Sequence, residues 1–555
     1  MKERTVMDQQ KRQNKQVEKQ QDFDPRNMEQ QDKKPGDTVE GKAKTRNGVK
    51  RMIFALGSIA LEMAVLLIQI LRLNEYSIWI EAGLHIFALI LVLVIYSKAV
   101  TSSMKMPWII LILLMPIFGT SLYVLVGING GTGKMRREYK KIDEKLFPLL
   151  TEKDKGLEKT LAGKDPAAAG IASYLKKYAG YPLWQNTDVT YYDDASAGLE
   201  AQLADLRLAK QFIFMEYHAI EDSTSWRRIE QILAEKAAQG VEVRVFYDDM
   251  GSIGFITTDF IKKLEKKGIA CRVFNPFGPG LNLFLNNRDH RKITVIDGKV
   301  GFTGGYNLAD EYFNLTHPYG LWKDTGVRLE GDAVRALTVT FLEMWNAGRH
   351  KRRQKEDKDY RRYLPEYSYQ ARQNGYIMPY ADSPMDKERI GEEVYISMLN
   401  KADHYCYFVS PYLILTDEMI HALSLAAKRG VDVRIITPGI PDKKLVYSVT
   451  RSFYHALVAN GVRIYEWTPG FCHCKMSVAD DKMATCGTIN LDYRSLYHHF
   501  ENGCWMYDPE IAVQIRSDFE QMFTQSREVT DDYREGRNAF LRTSQLIMRL
   551  FAELL

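Results

Sequence analysis

The sequence predicts an α/β chain of two duplicated halves, preceded by an apolar helical hairpin. Three observations carry this. A pattern of histidine, lysine and aspartate occurs twice in register. Strand-like and helix-like runs alternate through both halves and echo one another. Two apolar runs of about twenty residues stand ahead of the first half. At 555 residues there is room for two or three domains with full cores. A net charge of +5 is too small to mark the whole chain as a polyanion binder.

Residues 1–50 are rich in Gln, Lys, Asp and Glu and poor in large apolar side chains, so they read as a disordered polar tail. The tail ends on Lys42, Lys44, Arg46 and Lys50, with Arg51 next, and carries no small-residue cleavage site. Residues 51–130 form a predicted membrane region. Met52 to Leu71 and Ile78 to Tyr96 are each apolar enough to cross a hydrocarbon core of roughly 30 Å. Glu62, Gln69, Glu81 and His85 interrupt them, and Glu62 needs a partner inside the helix pair. Basic residues precede the first run, and Lys98 and Lys105 follow the second. The positive-inside rule then places both ends, and the soluble halves, on the cytoplasmic face of the cell membrane.

A third apolar stretch, Pro107 to Val126, is broken by Pro116 and Gly119 and followed by Lys134, Arg136, Arg137, Lys140 and Lys141. Basic groups on both sides favour a re-entrant or interfacial segment; a third crossing, with the soluble halves outside, is the alternative. Gly127 to Lys134 is glycine-rich but does not meet the spacing of a phosphate loop, so it reads as a linker.

The first soluble half is predicted over 165–355 and the second over 366–535, joined by the charged connector Arg349 to Arg362. Phe212 to Tyr217, Trp226 to Ala238 and Val241 to Tyr247 alternate as strand, helix and strand. Ala237 to Arg244 (AAQGVEVR) is echoed by Ala426 to Arg434 (AAKRGVDVR), and Gly268 to Val273 by Gly461 to Ile464. From Gly240 to Gly430 is 190 residues, and from His290 to His473 is 183, which marks an internal duplication. Residues 536–555 carry apolar positions at helical spacing and read as a C-terminal amphipathic helix, packed on the second half or on the membrane.

The chemistry-bearing stretch runs from Asn287 to Tyr312. His290 and Lys292 are two apart, so they share one face of a strand. Ile293 to Ile296 suits a buried strand, Asp297-Gly298 a tight turn, and Lys299 to Thr303 the return strand. Gly304, Gly305 and Asn307 follow. His473, Lys475, Asp480, Gly487 and Asn490 repeat the spacing, with 17 residues from histidine to asparagine in both copies. One such motif is commonplace; two in register are not. The six cysteines form no CxxC pair. The two around His473, Cys472 and Cys474, face away from it on a strand, so free thiols are expected rather than a metal site.

The doubled HxKxxxxD…G[GT]xN pattern resembles the phospholipase D superfamily. Further stretches resemble its bacterial cardiolipin synthase branch: Trp108, Pro116 to Gly119 and Tyr123 to Gly127, Phe214 to Tyr217, Gly301 to Tyr312, Trp322 to Thr325, Ser410 to Tyr412, and Asn490 to Ser495. The resemblance covers about residues 50–555. Two positions depart from it: Thr488, where Gly or Ser is common, and His499, where the family often has Asn.

The resemblance implies two α-β-α sandwich domains of phospholipase D type around one active site. It implies catalytic motifs of His290, Lys292 and Asp297 and of His473, Lys475 and Asp480, with His290 as nucleophile, His473 as acid and base, and the two aspartates in turn or supporting positions rather than as proton carriers. Asn307, Asn490, Gly304 and Gly305 would meet the substrate phosphate, and Glu311 and Glu501 would orient an imidazole. No metal or cofactor is expected, because the lysines supply the positive charge that phosphoryl transfer needs. The implied reaction joins two phosphatidylglycerol molecules into cardiolipin and glycerol at a membrane. A hydrolytic phospholipase D or a nuclease is the alternative. Nucleic acid is not an expected partner, since no basic stripe with interleaved aromatics is present.

Overall fold

The computed structural model describes residues 64, 67, 78–98, 101–123, 132–151, 156–257, 259–276, 287–348, 355–534 and 549. The predicted tail lies outside these residues, as do all but two residues of the first apolar run and all but Arg549 of the predicted C-terminal helix. The Arg549 guanidinium stands 4.0 Å over the ring of Phe453 in the second half.

The second apolar run forms helix α1, Ile78–Ser97. No helix among the described residues is long and apolar enough to cross a membrane. The third stretch is two helices, α2 (Ser102–Leu114) and α3 (Pro116–Leu122). Met115, ahead of Pro116, is forced out of helical geometry (φ −137°, ψ 74°), and the proline then starts α3. Gly119 lies so close to α2 that a Cβ there would come 2.6 Å from the Leu111 carbonyl oxygen, so α3 doubles back on α2. Ala88, Ile95, Trp108, Ile112 and Tyr123 close this small core. The Trp108 and Tyr123 rings meet edge to face at 5.3 Å, and Lys98 donates to the Tyr123 hydroxyl. Ile86, Phe87, Ile90, Leu93, Leu113 and Leu114 are left exposed.

Each soluble half is built on one mixed sheet with the same strand order. In the first, β1 (Thr187–Tyr192), β2 (Phe212–Tyr217), β3 (Glu242–Asp248), β4 (Ala270–Phe274), β6 (Lys292–Ile296), β7 (Val300–Gly304) and β9 (Gly326–Gly331) run in the order β1-β9-β7-β6-β2-β3-β4. In the second, β10 (Tyr376–Asp382), β11 (Tyr405–Val409), β12 (Asp432–Pro438), β13 (Arg463–Trp467), β15 (Met476–Ala479), β16 (Met483–Gly487) and β17 (His499–Tyr507) run β10-β17-β16-β15-β11-β12-β13, and β18 (Ser526–Glu528) adds an edge. Both place three parallel strands beside an antiparallel group, and both put the strand after the histidine at the seam between the two. The duplication expected from the echoing sequence is therefore present in the fold.

Helices cover both faces of the first sheet. Those at Ala195–Leu208 and Thr224–Ala238 bury Leu199, Leu203, Trp226 and Ile229 against its outer face. Helix α5 (Val334–Ala347) covers the inner face, and all of its residues are buried. Phe341 of α5 stacks on Phe214 at 4.5 Å. The core on this side continues without a break into the second half, through Ile377, Met378 and Trp505. Helix α4 (Thr132–Thr151), which follows the apolar hairpin, lies along α5. Its Tyr139 donates to the Met344 sulfur and stacks on Phe500 at 4.9 Å, so it is wedged against both halves.

Candidate active site

Two short strand pairs stitch the halves together. Strand β5 (Arg288–Asp289), just ahead of His290, pairs in parallel with the start of β17, and the His290 amide donates to the Phe500 carbonyl at 2.9 Å. Strand β14 (Gly470–Cys472), just ahead of His473, pairs in parallel with β8 (Leu321–Lys323), and the His473 amide donates to the Lys323 carbonyl at 2.8 Å. The residue after each partner carbonyl is an acid. Glu501 of the second half meets His290 Nδ1 with both oxygens at 2.9 Å, and Asp324 of the first half meets His473 Nδ1 at 2.8 Å. Each imidazole is thus oriented by a carboxylate from the opposite half.

A carboxylate can only accept, so Nδ1 carries the proton opposite Glu501 in His290 and opposite Asp324 in His473, where Lys475 Nζ also stands 2.8 Å from Nδ1, and Nε2 keeps its lone pair. Burial, aided by Lys292, holds His290 well below the ordinary histidine pKa; burial, aided by Lys475 and opposed by Asp324, brings His473 down to about 3. Both rings rest neutral. They line one cavity of about 390 Å³ together with Asn307 and Asn490.

Lys292 and Lys475 are both buried, and neither is among the side chains that line the cavity with the histidines. Lys292 donates to the His290 carbonyl at 2.6 Å, and Lys475 to the His473 carbonyl. Burial lowers Lys292 to about 7 and Lys475 to about 8. Asn307 donates to the Tyr312 hydroxyl at 2.8 Å and accepts from the Ala219 amide, while Asn490 Oδ1 is buried without a hydrogen bond.

Gly304, Gly305 and Glu311 depart from expectation, whereas Asp297 and Asp480 take the turn role and do not line the cavity. Each sits at positive φ (53° and 54°) in the turn beyond its strand, and each carboxylate accepts three backbone amides: Lys210, Gln211 and Phe212 for Asp297, Asp403, His404 and Tyr405 for Asp480. They fasten the strand neighbouring each catalytic strand. Gly304 and Gly305 make room for protein, not phosphate. A Cβ on Gly304 would meet the Thr325 carbonyl at 2.4 Å, and one on Gly305 would meet Asp324 Oδ1 at 2.0 Å. At the matching position Thr488 donates its hydroxyl to the longer Glu501 side chain, which accounts for that departure from the family pattern. Glu311 makes no hydrogen bond to either histidine among the described residues. It lies in the 310–313 turn, whereas the next strand is what crosses to the other half, and Asp324 takes the expected role.

Other site residues were not anticipated. His218 accepts a place in the cavity wall, with its ring 5.0 Å from that of His290 and its Nδ1 donating to the Asp289 carbonyl at 2.7 Å; burial drops it to about 4. Trp322 and His499 are equivalents in the two halves, each with its ring 5.5 Å from that of His473 or His290 respectively. Arg291, between His290 and Lys292, points the other way, as strand alternation demands, and pairs with Glu343 at 2.9 Å inside the shared core. Among the described residues, His290, His499 and Glu501 alone bring donor atoms close enough (within 4.8 Å) to hold a metal ion. All six cysteines are buried and free.

Comparison with known proteins follows the same division of the chain. A family model described as "Cardiolipin synthase, PLD-like domain" matches residues 203–345 and 395–523, and one described as "Phospholipase D-nuclease N-terminal" matches 83–127. A Streptococcus mutans protein is 43% identical over 448 residues, covering 81% of this chain and 96% of the relative. Cardiolipin synthase 1 of Staphylococcus aureus is 31% identical over 472 residues, covering 82% and 92%. Cardiolipin synthase of Halalkalibacterium halodurans is 29% identical over 482 residues, covering 86% and 95%. Among solved structures, phosphatidylserine synthase of Haemophilus influenzae has the same fold, with a TM-score of 0.50 at 15% identity over 66% of this chain and 93% of that one.

Proposed function

The chain belongs to the cardiolipin synthases of the phospholipase D superfamily, and from that premise we propose how its paired histidines act. The reaction is the family's: two phosphatidylglycerol molecules become one cardiolipin and one glycerol. The observation that carries the mechanism is the reciprocal holding of the two imidazoles, with both Nε2 lone pairs left for one cavity.

One Nε2 attacks the phosphorus of the donor, forming a P–N bond as the bond to the glycerol oxygen breaks. The opposite imidazole, protonated on Nε2 from solvent once the anionic phosphodiester is bound, delivers that proton to the oxygen, and glycerol leaves. The same imidazole then takes the proton from a hydroxyl of the second phosphatidylglycerol. Its oxygen attacks phosphorus, the P–N bond breaks, and cardiolipin leaves with the first imidazole restored. Lys292, Lys475, Asn307 and Asn490 draw the charge that gathers on the non-bridging oxygens. In the order carried by the resemblance, His290 bears the phosphatidyl group. Membrane placement rests on the exposed apolar side chains of α1 and α2 and on the basic run that opens α4.

The test uses purified enzyme in vesicles of phosphatidylglycerol, with products read by mass spectrometry. His290→Ala and His473→Ala should each abolish cardiolipin formation while thermal unfolding stays near wild type. Turnover in either variant would remove the two-histidine mechanism.

A further inference from the structure

The pseudo-symmetry that exchanges the halves breaks at one pair of positions. Four residues after Asn307 stands Glu311, and four residues after Asn490 stands Arg494. Arg494 lines the cavity; Glu311 does not. The buried arginines nearby have acids: Arg244 has Asp357, Arg288 has Asp248, and Arg291 has Glu343, while Arg494 is half-buried. Arg494 has no carboxylate within ion-pair distance among the described residues. Its one hydrogen bond runs from Nε to His499 Nε2 at 3.3 Å. Burial lowers the pKa of this guanidinium, opposed by Asp492 and Asp248 and aided by Arg288.

His499 holds Arg494 in place. Its ring stands between Arg494 and His290, and its Nδ1 lies 3.4 Å from Glu501. The neutral ring with its proton on Nδ1 suits both neighbours: it faces the carboxylate with a donor and Arg494 with a lone pair. The terminal nitrogens of Arg494 remain for whatever enters the cavity.

A half-buried guanidinium that lines the cavity without an ion pair offers an anion a place there. Condensation brings two phosphodiesters to this site. One reacts between the imidazoles, within reach of the lysines. The other belongs to the acceptor and is three carbons from the attacking hydroxyl, so it falls on the cavity wall and not on the lysines. We propose that Arg494, positioned by His499, binds the acceptor's own phosphodiester, and that the site thereby selects an alcohol already carrying a phosphate. This rests on the phosphatidyl-transfer reading above. Arg494 takes no proton in the reaction; it places the hydroxyl.

The test separates the half-reactions. Exchange of labelled glycerol into phosphatidylglycerol needs only the donor half; cardiolipin formation needs both. Arg494→Gln should lower kcat/KM for cardiolipin by about ten- to a hundredfold while glycerol exchange stays within about twofold of wild type. Arg494→Lys should keep more of the condensation than Arg494→Gln. In the wild-type enzyme, glycerol phosphate should serve as a soluble acceptor at a lower KM than glycerol, a preference that needs no variant to fold. Equal use of the two soluble acceptors, or parallel loss of exchange and condensation in a folded variant, or an unchanged condensation rate, would each overturn the proposal. Absence of cardiolipin formation in the wild type, with exchange intact, would instead overturn the reading on which it rests.

Discussion

At the residue scale, the cluster is legible where one side chain sets a face and hidden where two chain segments must meet. His290 and Lys292 declare themselves by their spacing, because a strand puts alternate residues on one side. Asp324 did not, because its partner His473 is 149 residues away and belongs to the other half. A weak signal existed: Asp324-Thr-Gly326 and Glu501-Asn-Gly503 both read acid-x-glycine after a motif. The buried lysines give a pH prediction. Burial puts Lys292 near 7 and Lys475 near 8, so each is an ammonium below that value and loses its proton above it. The ammonium is the form that binds phosphate, so kcat/KM should fall as pH rises through about 7 to 8. Stability moves the other way. An unfolded lysine keeps its proton up to the ordinary 10.5, so the unfolded state binds more protons in this window, and folding gains as pH rises. Activity assays and thermal unfolding across pH 6 to 10 check both; a fall in activity that tracks unfolding would contradict the assignment.

At the scale of elements, the third member of each motif belongs to the turn and not to the chemistry. Asp297 and Asp480 occupy left-handed backbone and bind the first amides of β2 and β11. The sequence places them five residues past the lysine, which on a strand of this length is the end remote from the cavity. Register alone suits either role; the Asp297-Gly298 turn signal is what pointed to the turn. Asp297→Ala or Asp480→Ala leaves three amides without their acceptor and strains a non-glycine residue at positive φ. Each should cost about 2–4 kcal/mol of stability. Turnover per folded molecule should stay within about threefold, and Asp→Asn should recover part of the stability, since asparagine tolerates that conformation. Thermal unfolding paired with an active-site titration reads both; loss of turnover at full folding would return these acids to the chemistry.

At the scale of the whole molecule, the duplication is what makes a site. Neither half orients its own imidazole, and the core that runs from α5 into β10 and β17 fixes the two sheets against each other. Periodicity and echoing words gave the two halves, but not the crossing of β5 and β8, since strands of two and three residues carry no pattern. The apolar hairpin extends this logic to the substrate. Leu113 and Leu114 project from the break between α2 and α3 and are more than half exposed, at 56% and 76%. Water is a poor neighbour for such a tip, and a lipid surface is a good one. Burying what these two leucines still expose contributes about 2–4 kcal/mol, enough to weigh heavily in the partition of a peripheral contact. Leu113→Glu with Leu114→Glu should therefore cut activity on long-chain phosphatidylglycerol vesicles severalfold or more. Activity on a short-chain, micellar phosphatidylglycerol should persist, because the cavity and its histidines are untouched. Equal activity of the variant on both substrates would place the hairpin tip away from the lipid and leave α4 and its basic run to bring the enzyme to its substrate.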